Sequence, residues 1–242
     1  MSMFLTLAYL FFIGSVAGWL LELVYRNMRS NHQKWINPGF CTGPYVPLYG
    51  FGLCILYLLA SFEGVLGIKN FILSKAVIIL SMSICMTVLE YIAGVFCLKF
   101  LKVRLWDYSN EWGNIQGIIC PSFSLAWSFI ALIYDIGIHP RILHALQWLS
   151  ENLAFSFFIG MFFGIFLIDV ANSAQIVAKL KKYADENEVI VRYENIKYHI
   201  RDVHTRAYKK YRFFFPFHSE RALPDLLMEM HDTLEKQRKR RK

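Results

Sequence analysis

Three carboxylates stand inside long apolar runs of this 242-residue chain: Glu22, Glu90 and Asp169. A charged carboxylate in hydrocarbon is costly unless it is paired, protonated or within reach of water. Each is therefore expected to bind a proton or cation, or to bond to another helix. Glu22 lies four residues before Arg26, which puts both on one helix face in the favourable acid-then-base order. Gly14, Gly18 and Glu22 form a stripe along which another helix can approach closely, so Glu22 should face protein. Glu90 shares a stripe with Ser83, Thr87 and Gly94 and has no Lys or Arg within four residues. Its partner must come from elsewhere, with Arg26 and the Trp106–Ser109 loop nearest by topology. Interhelical hydrogen bonding and proton or cation binding both stay open for it. Asp169 follows a second G-x-x-x-G step, Gly160 and Gly164, and is expected at the headgroup level.

Two further stretches carry polar groups. Between Asn37 and Gly50 stand three prolines and three glycines, a density no regular helix tolerates. That stretch must be irregular and either covered by protein or facing a polar cavity. The second stretch is Trp106-Asp107-Tyr108-Ser109 with Asn114, Gly117 and Pro121, where an acid between two aromatics suggests a hydrogen-bonded loop. Glu22, Arg26, Asn37, Tyr49, Glu90, Trp106, Asp107, Tyr108 and Asn114 are the residues expected to line a cytoplasm-facing polar cavity. A catalytic set is not expected. His32, His139 and His144 are placed in loops, and there is no His-x-x-x-His pair or Ser, His and acid set. Cys41, Cys54, Cys85, Cys97 and Cys120 form no C-x-x-C pair and read as small buried hydrophobes. Neither metal nor cofactor is expected.

The elements that hold these residues follow from hydropathy. The chain is 56% apolar and only 18% charged, against about 25% charged in a soluble domain. A bilayer core about 30 Å thick needs roughly 20 apolar helical residues. Five stretches qualify: 3–25, 44–62, 71–100, 115–137 and 153–178. The first lacks a basic start and a cleavage site, so it is expected to be a retained span. Lys and Arg cluster after the first span (Arg26, Arg29, Lys34) and the third (Lys99, Lys102, Arg104). This predicts an external N-terminus and a cytoplasmic C-terminus. Residues 1–178 carry about +1 and residues 179–242 about +7 of the net +8. Hence the expectation is an all-α polytopic membrane protein with a transmembrane domain over 1–178 and a basic helical cytoplasmic tail over 179–242. A helix extension is expected over 173–212, with Val189, Tyr193, Ile196, Ile200 and Val203 on one face, and a shorter helix near 224–236. The basic end suits anionic lipid headgroups better than nucleic acid.

Gly18-Trp19-Leu20-Leu21-Glu22, the Asn37–Gly50 run, Glu90 with Gly94, and Trp106–Ser109 with Asn114 and Gly117 together resemble the CmpB-like family. Its members are bacterial integral membrane proteins described as type IV ABC-transporter permeases. The resemblance covers roughly residues 8–130. It implies a transport role in the cell membrane. No G-x-x-x-x-G-K-[ST] phosphate loop is present, so ATP hydrolysis would fall to a separate ATPase subunit. Five spans would be few for a translocation path, so a homo- or hetero-oligomer is expected. Two rival readings are an enzyme acting on a lipid-linked substrate and a non-catalytic membrane partner or regulator.

Overall fold

The computed structural model describes residues 2–29, 37–39, 41–65, 67–186 and 190–192. Helix α1 spans Met3–Arg29 and is followed by α2, Pro47–Ser61, and α3, Phe71–Leu101. A two-residue strand β1, Val103–Arg104, opens the long loop to α4, Pro121–Ile133. A π-helical turn, Tyr134–Ile138, joins α4 to α5, His139–Glu151. Helix α6, Ser156–Glu186, precedes a second short strand β2, Val191–Arg192.

Local chemistry sets most helix boundaries. Pro47 and Pro121 occupy first-turn positions, where a missing N–H costs nothing. The residues before them, Val46 and Cys120, are extended as a following proline requires. Asn70 caps α3 by accepting a bond from the Leu73 N–H. At the other end of α3, Lys102 turns left-handed and returns its N–H to the Cys97 carbonyl, closing the helix.

Four helical stretches are long and apolar enough to cross a bilayer: Met3–Met28, Phe71–Leu101, Pro121–Glu151 and Leu153–Lys182. The run expected over 44–62 forms only the 15-residue α2, about 22 Å long at 1.5 Å per residue. The run expected over 115–137 also differs. Its helix begins only at Pro121, because residues 115–120 belong to the preceding loop, and it continues past residue 137 to Glu151. His139 and His144, expected in a loop, therefore stand on α5. Pro140 explains both the expectation and its failure. A proline removes one helical hydrogen bond and crowds the preceding turn. The chain accommodates this by widening to a π turn, with the His139 N–H reaching back to the Tyr134 carbonyl.

The fold is an up-and-down bundle. Helices α1 and α2 form the most extensive pair, running antiparallel with Gly14 beside Leu53 and Gly18 beside Tyr49. At Gly18 a Cβ would sit inside the Tyr49 ring, so only glycine permits this approach. Helices α2, α3 and α4 share a core of Leu56, Met82, Met86, Trp127, Ala131 and Tyr134, with Leu10 of α1 joining it. Hydroxyls also pair across α3 and α4: Ser83 lies 2.7 Å from Ser128, and Thr87 donates to Ser124 at 3.2 Å. Helix α6 is held to α1 mainly by rings, with Phe11 against Phe163 and Phe166, and Phe12 against Phe162. Gly160 and Gly164 of α6 face open space, unlike the α1 glycines.

The helix expected over 173–212 is present as far as Glu186. Beyond it, Val191–Arg192 is extended and pairs in parallel with Val103–Arg104, so the chain turns back on the bundle end instead of continuing as one helix. Tyr193, Ile196, Ile200 and Val203, the predicted helix near 224–236 and the basic end lie outside the described residues, as do Val189, His32 and Lys34.

Candidate functional site

The C-terminal halves of α1, α3 and α6 and the N-terminal ends of α2 and α4 meet at one end of the bundle. Two carboxylates sit there with their donors. Glu22 of α1 accepts the Arg26 Nε–H at 2.6 Å through Oε1. Its Oε2 accepts the Tyr49 hydroxyl of α2 at 2.8 Å. Both partners of the Glu22–Arg26 ion pair are about one-fifth exposed. Glu90 of α3 is deeper, 5% exposed. It accepts the Tyr108 hydroxyl at 3.0 Å and the Trp127 indole N–H at 2.9 Å. Among the described residues no Lys or Arg pairs with it.

The two carboxylates share one neighbourhood. The Tyr49 ring, bonded to Glu22, packs beside Trp127, bonded to Glu90, with centroids 5.9 Å apart. Tyr108 reports the same closeness from the loop side. Burial holds its phenol well above the usual range, and the nearby charges of Glu90 and Glu22 push it further the same way. Its hydroxyl therefore stays a donor to Glu90 across the physiological range. The Tyr108 ring stacks on Phe123 of α4 at 4.1 Å, and Tyr25 of α1 meets Phe123 edge-on at 6.2 Å.

Of the residues expected to line a cavity, Glu22, Arg26, Tyr49, Glu90 and Tyr108 come together. The other four build the loops that carry them. Asn37 is buried, accepts the Trp19 indole N–H at 2.6 Å and donates to the Thr42 carbonyl at 2.6 Å. Trp106 donates to the Ile118 carbonyl at 2.9 Å. Asp107 accepts from Arg104 at 2.6 Å and from the Ser109 N–H at 3.1 Å. Asn114 donates to the Glu111 carbonyl at 2.9 Å and accepts the Gly117 N–H at 3.0 Å. Gly117 has a left-handed φ of +67°, and a Cβ there would collide with the Arg104–Asp107 pair. This frame presents Tyr108 to Glu90.

Asp169 is neither at a hydrated headgroup level nor marginal. It is 7% exposed and receives the Gly43 N–H at 2.8 Å, the Thr42 N–H at 3.1 Å and the Ser173 hydroxyl at 3.2 Å. The hydroxyls of Thr42 and Tyr45 bond to it as well. The proline- and glycine-rich stretch thus wraps one carboxylate of α6. Nothing local in the sequence marks this pairing, since its partners lie more than 120 positions away.

A second group was also missed. At the opposite end, Lys75 of α3 lies 2.7 Å from Glu63 and 2.8 Å from Asp135 of the π turn. The available signal was an acid inside the 115–137 run with a lysine near the start of the neighbouring 71–100 run.

Trp127 and Phe123, absent from the expected set, are aromatic positions in an apolar helix and look like ordinary core in the sequence. Only their spatial neighbours distinguish them.

With that geometry in view, comparison with known families gives one match: the family described as "Putative ABC-transporter type IV" matches residues 9–174. The chain belongs to this family. The match extends past the motif region into α6 and takes in Glu22, Glu90 and Asp169. No curated protein and no solved structure matches. Family and apolar helices together mark a membrane protein related to transport.

Proposed function

We propose that the chain is the membrane subunit of a transport system, receiving a small or amphiphilic ligand at the Glu22–Glu90 end of the bundle. In this reading that end faces the cytoplasm of the cell membrane and the basic tail stays there, near anionic headgroups. A separate ATPase supplies the hydrolysis this chain has no phosphate loop for. Two copies, or this chain with another, complete the path.

The observation that carries the reading is Glu90. A carboxylate this buried, in a membrane helix, without a basic partner, is expensive to keep for packing alone. Its surroundings favour ligand handling over hydrolysis. They consist of a phenol, an indole and a second carboxylate, which can hold a proton or a cation but supply no nucleophile with its base. Among the described residues no group of three or more His, Cys, Asp or Glu is arranged to hold a metal.

The test is recovery of the full chain from native membranes in mild detergent, with ATPase activity measured in the eluate. A co-purifying ATP-hydrolysing subunit is expected. An eluate rich in bound lipid and free of ATPase activity would overturn the proposal in favour of a lipid-acting enzyme.

A further inference from the structure

The residues around Glu90 set the charge and shape of what the site can accept. Two carboxylates, Glu22 and Glu90, face one guanidinium, and that guanidinium is bonded to Glu22. An anion brought here would meet uncompensated negative charge at Glu90. The walls are aromatic: Tyr108 on Phe123, Tyr25 against Phe123, and Tyr49 beside Trp127. Ring faces attract a cation through their quadrupole, and they also cover the apolar arms of an organic ion. A small hydrated metal ion would gain little from such walls.

Resting on the ligand-handling reading above, we infer that this site takes a cationic amphiphile, an ammonium or phosphonium centre with apolar substituents, in exchange for a proton on Glu90. In the empty site Glu90 is the neutral acid. When the cation enters, the O–H bond of Glu90 breaks, the proton leaves to solvent, and the carboxylate becomes the counter-ion. Charge balances on both sides of the exchange. The groups that face Glu90 are Tyr108 from the loop, Trp127 from α4, and Glu22 with its partners Arg26 and Tyr49 from α1 and α2. Arg26 holds Glu22 ionised, so Glu90 is the member of the pair free to exchange. Tyr108 and Trp127 can donate to the carboxylate once it forms, which keeps it satisfied after the proton has gone.

The test uses the purified full chain in uncharged detergent and two probes of matched shape and opposite charge, tetraphenylphosphonium and tetraphenylborate. Binding and proton release are measured together in weak buffer with an indicator dye. The phosphonium is expected to bind with one proton released per cation, and to bind more weakly as pH falls. Glu90→Gln should keep its thermal stability, because the amide can donate to the Tyr108 oxygen and accept from Trp127, yet lose both binding and release. Glu90→Asp should retain proton release at weaker affinity, which guards against misreading a folding defect. Borate binding without phosphonium binding would overturn the cation class while leaving the ligand-handling reading standing. Phosphonium binding without proton release, or binding that survives Glu90→Gln, would overturn the exchange at Glu90. If neither probe binds and Glu90→Gln unfolds readily, Glu90 is structural, and both this inference and the reading beneath it fall.

Discussion

Replacing Asp169 by asparagine should be among the most destabilising single-atom changes in the bundle. The aspartate receives two backbone N–H groups and three hydroxyls, from Thr42, Gly43, Tyr45 and Ser173. Bonds to an ionised acceptor contribute about 1.5–3 kcal/mol each, and a stranded buried donor costs about 1–3 kcal/mol. Asparagine keeps one oxygen, which can still serve Ser173 and the Thr42 groups. Its amide nitrogen would replace Oδ2. The Tyr45 hydroxyl can reverse and accept from it, but the Gly43 N–H cannot and is left facing another donor. Weakening of the charge-assisted bonds and one stranded N–H together predict a loss of about 3 kcal/mol. Tyr45→Phe, which removes a single donor, should lose about half as much, and the two changes together less than their sum because they share a bond. Unfolding free energies in mixed micelles measure all three. A value for Asp169→Asn within about 0.5 kcal/mol of wild type, the range of an uncoupled surface change, would mean water satisfies this loop. The anchoring role of Asp169 would then be refuted.

The Glu22–Arg26 pair should behave as a coupled unit: Glu22→Gln and Arg26→Gln each lower folded yield, and the double change loses less than the two singles combined. Additive losses would show separate roles. Gly18→Leu should disrupt the α1–α2 contact, costing at least the roughly 1–3 kcal/mol typical of overpacking, because its side chain would occupy the Tyr49 ring position. Gly164→Ala, with nothing within 4 Å of the added methyl, should be neutral or slightly stabilising in the same unfolding assay, and the opposite ranking would contradict the packing described here. Reporter fusions at Lys242 and near Asn31 should read cytoplasmic, and fusions near Gly67 and Asn152 external. The last point lies beyond Glu151 because helix continues there. A tail that reads external would place the Glu22–Glu90 site on the wrong side for a cytoplasmic ATPase.

Sequence by itself determined the class of this protein, because the requirement for long apolar helices is local and additive along the chain. Runs of hydropathy marked the helices, the G-x-x-x-G step at Gly14 and Gly18 marked a close helix contact, and the Glu22-to-Arg26 spacing marked an ion pair on one face. Each depends on neighbours within a few residues, so each was readable. The same reasoning gave Glu90 a partner from the Trp106–Ser109 loop, since that loop follows the helix directly, and Tyr108 is that partner. It misjudged the fourth run, because Pro140 ends most helices but here is absorbed by a π turn whose geometry depends on packing against α3 and α2. Only the tertiary structure decided the rest. It brought Trp127 to Glu90, Tyr49 to Glu22, and the Thr42–Tyr45 loop to Asp169. It also left the Gly160–Gly164 face of α6 open where the similar α1 face is filled. The physical reason is that a buried carboxylate must find donors wherever the fold supplies them. Hydrogen bonds leave no periodic trace in a sequence when donor and acceptor lie on different helices.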